Sequence, residues 1–195
     1  MRSVCGAVIL IFLILAFAAI AVPATNAAST SAADKSASPV LAAFEARIQA
    51  YLDLKGKAES SVPHLSKDSK PEEVVRHQRA LAARIKEARA GAKPGEFFTP
   101  DLEALVKRTV TEVLSGPDGK SVKASIMDEN PDVPRITLHE QYPTAVPLST
   151  MPPQILASLP QLPKGLEYRF LGTRLVLLDT DADIIIDYTG RVMAP

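Results

Sequence analysis

His64, His77 and His139 are the chain's three histidines, and histidine is the side chain that most readily titrates near neutrality and ligates metals. His77 follows Glu73 by four residues, which places both on one face of a helix. A zinc site needs three or four ligands. With no H-E-x-x-H to extend the pair, it reads as a solvated helix face. His139 and Glu140 are neighbours, so in a strand they point to opposite faces and form no dyad by themselves. Asp179-Thr-Asp181-Ala-Asp183 opens like a calcium loop, but Ile184 stands where that loop needs glycine and Gly190 where it needs a bidentate glutamate. It reads instead as a charged hairpin turn. Asp128-Glu129-Asn130-Pro131 reads as a helix exit.

The sequence has no G-x-S-x-G, no P-loop and no G-x-G-x-x-G. Ser149 and Ser158 have no recognisable base beside them. No catalytic residue, metal or cofactor is therefore assigned, although carboxylates that pair only in space would leave no local trace. Arg76, Arg79, Arg84, Lys86 and Arg89 read as the solvated outer face of a helix, and Pro160-Gln-Leu-Pro163 as a segment packed on its own domain. The preferred place for a binding surface is a charged patch on the last strands. If Leu166, Tyr168 and Phe170 face a core, Glu167 and Arg169 face outward. Arg174 and Asp187 then join them beside Tyr188.

The elements that must position these groups are marked by proline and glycine. Ser38-Pro39, Pro71 with Ser69 and Glu72 at capping-box spacing, and Thr99-Pro100 predict three helix starts. Apolar residues at helical spacing follow each: Leu41, Phe44, Ile48, Tyr51 and Leu52; Val74, Leu81, Ile85 and Ala88; Leu102, Leu105, Val106, Val110, Val113 and Leu114. Gly56 with Pro63, Gly91 with Pro94 and Gly116-Pro117 predict the stops. A short fourth helix is expected over residues 118–129.

Residues 130–165 are proline-rich, with interspersed Ile, Leu, Val and Met. They are expected to wrap the core, with one strand over 135–142 and one short helix over 153–159. Alternation at Leu166, Tyr168 and Phe170, the run Leu175–Leu178, and alternation at Ile184, Ile186 and Tyr188 predict a three-stranded antiparallel meander over 166–190. Such a sheet needs cover on its apolar face, so the expected fold class is α+β. Three to four N-terminal helices (39–129) pack on a small C-terminal meander, joined by the Pro-rich segment, in one domain over 39–195.

Residues 1–27 carry a positive start, an apolar run from Val4 to Val22, Pro23 and a cluster of small residues. That is the pattern of a signal peptide cut near Ala27. The run is also long enough to serve as an uncleaved anchor, and membrane contact is expected only through residues 4–22 if it stays. Residues 28–38 are small and polar and read as a flexible tether. The lone Cys5 lies in the leader, so no internal disulfide is available. With 22 Lys+Arg against 22 Asp+Glu, the chain lacks the net basic surface of a general nucleic-acid binder. The charge is nevertheless divided: residues 28–123 are net basic and residues 124–195 net acidic, which suits the two halves for docking.

The runs Ala124–Pro131, Tyr142-Pro143, Pro147–Pro153, Leu159–Pro163, Leu166–Phe170 and Asp183–Asp187 resemble an uncharacterised family of exported bacterial cell-envelope proteins. The resemblance covers roughly residues 40–195 and implies no activity, cofactor or site. The resulting expectation is an exported, periplasmic or secreted, non-catalytic domain that binds an unknown envelope protein or small ligand. Two alternatives stay open. One is an envelope hydrolase assembled in space around carboxylates or His139, and the other is a membrane-tethered structural protein.

Overall fold

The computed structural model describes residues 27–129, 135–143 and 151–193. Five helices and three strands follow in chain order: α1 (Ala27–Glu59), α2 (Pro71–Ala88), α3 (Pro100–Leu114), α4 (Gly119–Glu129), α5 (Pro153–Ser158), β1 (Leu166–Leu171), β2 (Arg174–Asp179) and β3 (Ile184–Arg191). The architecture is α+β, with the helices first and one antiparallel sheet of order β1-β2-β3 last.

Proline occupies the first position of α2, α3 and α5, where its missing N–H costs nothing and its fixed φ suits a helix. The cap of α2 lies one residue beyond its expected place: the Lys70 amide donates to the Glu73 carboxylate at 2.8 Å. α1 departs further from expectation. It passes through Pro39 and reaches back to Ala27, across residues 28–38 that read as a tether. Those residues are rich in alanine, the cheapest residue to hold in a helix. Gly56 does not stop α1 either. The helix ends three residues later, where the Ser60 and Ser61 hydroxyls cap the Lys57 and Ala58 carbonyls.

The main core lies between the helices and one face of the sheet. Phe44, Ile48 and Tyr51 of α1, Leu81 and Ile85 of α2, Leu102, Val106 and Val110 of α3 and Ile155 of α5 meet Tyr168, Phe170, Leu175, Leu177, Ile184 and Ile186. The other face is also dry. Leu171, Val176, Leu178 and Ile185 pack there with Tyr142, beside Ile136 and Tyr188. β2 is therefore buried on both sides, which is why Leu175–Leu178 is a continuous apolar run rather than an alternating one.

Residues 135–143 do not form the expected strand. Gln141 makes a single bridge to Ile184, and His139 adopts φ 59°, which breaks the extended path. Residues 130–134 and 144–150 of the Pro-rich segment, and residues 1–26 with the Val4–Val22 run of the expected leader, lie outside the described residues. Among the described residues, no helix is long and apolar enough to cross a membrane.

The joint between α3 and α4 is close. A Cβ added to Gly119 would lie 1.9 Å from the Leu114 carbonyl oxygen, so only glycine lets the chain turn back so closely. Gly119→Ala is expected to cost about 1–3 kcal/mol by overpacking, read as a lower chemical-denaturation midpoint with an unchanged slope. A midpoint equal to that of the unmodified chain contradicts this packing.

Candidate functional site

The most chemically loaded groups lie between the helices and the β2–β3 hairpin. Asp179 ends β2 and is fully buried. A buried carboxylate must be met by donors, and Asp179 has four. The Tyr51 hydroxyl donates to it at 2.6 Å, the Lys55 ammonium at 2.9 Å, and the Asp181 and Ala182 amides at 3.0 Å each. Tyr51 and Lys55 are four residues apart on α1, so one helix face supplies both side-chain donors.

Lys55 also donates to Asp181 at 2.6 Å. Burial pulls the Lys55 ammonium downward, but its bonds to Asp181 and Asp179 outweigh that, and its pKa lies above the ordinary lysine value. Burial first, then the Asp179 charge, hold Tyr51 well above the ordinary phenol range. It therefore remains protonated and a donor at neutral pH. Gly165 makes room for the Lys55–Asp181 pair: its φ is +88°, and a Cβ there would stand 2.4 Å from Asp181 Oδ2.

A second buried carboxylate, Asp187 of β3, is also fully enclosed. The Gly95, Phe97 and Phe98 amides of the α2–α3 connection donate to it at 2.7–2.8 Å, and the Tyr188 amide at 2.9 Å. Burial pushes its pKa up while these four amides oppose the rise. From α3, Glu103 accepts from the Gly190 amide at 3.0 Å. From the end of α2, Arg89 stacks its guanidinium over Tyr51 and Phe97. It donates to Glu96, to the Ile186 carbonyl and, through Nε, to His139 Nε2 at 3.1 Å. The first three helices and their connection are thus each tied to the hairpin or to β3 by a polar contact.

The predicted site residues divide across the sheet. Glu167, Arg169, Arg174 and Tyr188 share the outer face: Glu167 pairs with Arg169 along the strand, and Arg174 lies 5.8 Å from the Tyr188 ring centre. Asp187 does not join them. Leu177 opposes Asp187 while Leu178 opposes Ile185, so Ile186 is an extra residue in β3. This bulge turns Asp187 toward the helices and Tyr188 away from Ile186. Bulges depend on the partner strand, so alternation within one strand could not reveal this one.

Arg89, read as a solvated charge, is drawn inward. Arg76, Arg79, Arg84 and Lys86 are exposed. The one available signal for Lys55 was its spacing from Tyr51. For Asp179 it was its place next to an apolar run. His139 is buried, and its Nε2 accepts from Arg89 rather than meeting a carboxylate. That is not the pairing a histidine base requires. His77 Nδ1 is bonded to the Pro63 carbonyl at 2.8 Å. His64 and His77 both line a cavity of about 480 Å³ beside α2. Among the described residues, no group of three His, Cys, Asp or Glu is placed to hold a metal ion.

A larger groove of about 700 Å³ lies between α5 and β1. Met151, Leu156, Leu162, Leu166 and Tyr168 are among its lining residues, and Glu167 and Arg169 belong to it as well. Leu156 is half exposed there. Leu159 enters the core, and Leu162 of the following Pro160-Gln-Leu-Pro163 segment lines the groove.

No family model matches the chain, and neither a curated protein nor a solved structure gives a significant match.

The polar seam is internally satisfied, and its chemistry is that of a clasp. Tyr51→Phe removes one donor from the buried Asp179 carboxylate while keeping the ring. It is expected to cost about 1.5–3 kcal/mol in chemical denaturation with native circular dichroism retained. A loss under about 0.5 kcal/mol contradicts a working bond to the carboxylate.

Proposed function

We propose that the chain is an exported, non-catalytic domain of the bacterial cell envelope that holds an apolar ligand or protein segment in the groove between α5 and β1. The observation that carries the binding reading is the groove itself. Its volume of about 700 Å³ falls in the range of ligand sites, which are concave and mostly apolar with a few placed polar groups. Met151, Leu156 and Leu162 supply apolar walls, and the Glu167–Arg169 pair supplies the polar groups. Export is supported by the leader pattern of residues 1–27 and by the resemblance of residues 40–195 to exported envelope proteins. The non-catalytic reading is supported by the way the buried ionisable groups are used. Asp179, Asp187, Lys55 and His139 each spend their hydrogen bonds on holding the fold.

The test uses the chain expressed at full length in a bacterial host and recovered from the envelope fraction, with its N-terminus read by mass spectrometry near Ala28. The environment-sensitive dye anilinonaphthalene sulfonate is then titrated into the folded protein. Saturable binding of about one dye per chain is expected, and Leu156→Asp, on the groove's exposed wall, is expected to weaken it about tenfold, or about 1.4 kcal/mol. Non-saturable binding, or equal binding by the variant, contradicts the groove as the site. A chain retaining Met1 contradicts the cleaved leader.

A further inference from the structure

Residues 135–143 run along the outer edge of β3 and are bonded to it through their backbone. The His139 amide donates to the Ile185 carbonyl at 2.8 Å, and the Ile185 amide donates to the Glu140 carbonyl at 3.0 Å. Gln141 bridges Ile184 and touches the Asp183 carboxylate at 3.4 Å. A side-chain link to the helical layer runs from Arg89 Nε–H to His139 Nε2, at 3.1 Å. From this short span Ile136 and Tyr142 cover the outer sheet face, where Leu171, Val176, Leu178 and Ile185 lie.

The link sets a condition on charge. Arg89 is a donor only, so the His139 nitrogen that faces it must accept and carry no proton; the ring proton then sits on Nδ1 and the imidazole is neutral. A second proton would replace that bond with two facing cations in a mostly buried place. The charged groups around the ring come from each element packed on it. α2 brings Arg89 and Lys86, and the α2–α3 connection brings Glu96. β3 presents the Ile185 and Ile186 carbonyls, and Asp183, just before it, meets Gln141 of the segment. The segment itself carries Glu140. Glu96 is itself bonded to Arg89, so the cationic side prevails.

We propose that residues 135–143 are a pH-sensitive strap, released from β3 when His139 takes up a proton, so that acidification uncovers the apolar outer face of the sheet. Burial, then Arg89 and Lys86, place the His139 pKa below the ordinary histidine value, in keeping with this geometry. The sign follows from linkage. With the strap bound the pKa is depressed, and with the strap free it returns to about 6.5. The bound state is therefore fully favoured above that value and loses ground as pH falls below it.

Hydrogen exchange on the intact chain, expressed as protection relative to the intrinsic rate, tests this. Between about pH 7.5 and about pH 5, protection of the His139 and Ile185 amides is expected to fall at least about threefold while that of Val110 in the core of α3 holds. The His139 ring, followed by NMR in the same samples, is expected to titrate together with that loss. In His139→Asn, whose side chain tolerates the positive φ, the pH dependence is expected to vanish. Protonation of His139 with Ile185 protection unchanged overturns the proposal, as does an equal acid-induced loss in the Asn variant. If that variant lacks the strap at every pH, the coincidence of titration and release in the unmodified chain decides the matter.

Discussion

A carboxylate with no access to water must be surrounded by donors, and the fold is organised around two such carboxylates. Asp179 fixes α1 to the hairpin through Tyr51 and Lys55, and Asp187 fixes the α2–α3 connection through the Gly95, Phe97 and Phe98 amides. Hydrophobic burial supplies most of the driving force for such a domain, but it has no direction. The carboxylates supply direction. They allow α1 one axial position on the hairpin and hold Phe97 and Phe98 in the core beneath β3. Removing either set of donors would strand a charge, which costs far more than the intact arrangement contributes.

The irregularities of β3 follow from that demand. A regular strand would send Asp187 to the outer face with Glu167 and Arg169. The extra residue Ile186 keeps apolar cover on both faces and still turns Asp187 toward its three amides. Gly190 has a similar origin, because a Cβ there would stand 2.6 Å from the Glu103 carboxylate that its amide meets. Gly165 does the same for the Lys55–Asp181 pair. The glycines and the bulge are consequences of where the buried charges sit.

This explains which parts of the molecule were legible in the sequence. Proline at helix starts, apolar spacing at Leu102, Val106 and Val110, and alternation through Leu166, Tyr168 and Phe170 are local properties, and they gave the α+β arrangement and the meander. The beginning of α1 was misread because alanine-rich sequence serves both as linker and as helix. The expected charged patch failed at Asp187 because a bulge is a property of two strands. Arg89 resembled its exposed neighbours because it lies at the end of α2, where a single step of the chain turns a side chain from solvent to the seam. The groove between α5 and β1 is formed by residues of two elements and the stretch that joins them, from Met151 to Arg169, each of which looks ordinary alone.

The coupling between Lys55 and Asp179 tests the central claim most directly. In a double-mutant cycle with Lys55→Met and Asp179→Asn, unfolding free energies would be measured by chemical denaturation at neutral pH. Each single change breaks the bond between the two, leaving Lys55 with Asp181 or Asp179 with Tyr51 and two amides, whereas the double variant removes both charges. The account predicts that the double variant is more stable than the sum of the single losses implies, by about 1.5–3 kcal/mol. Additivity within about 0.5 kcal/mol would contradict it, since the Lys55–Asp179 bond would then add nothing to the hold of α1 on the hairpin.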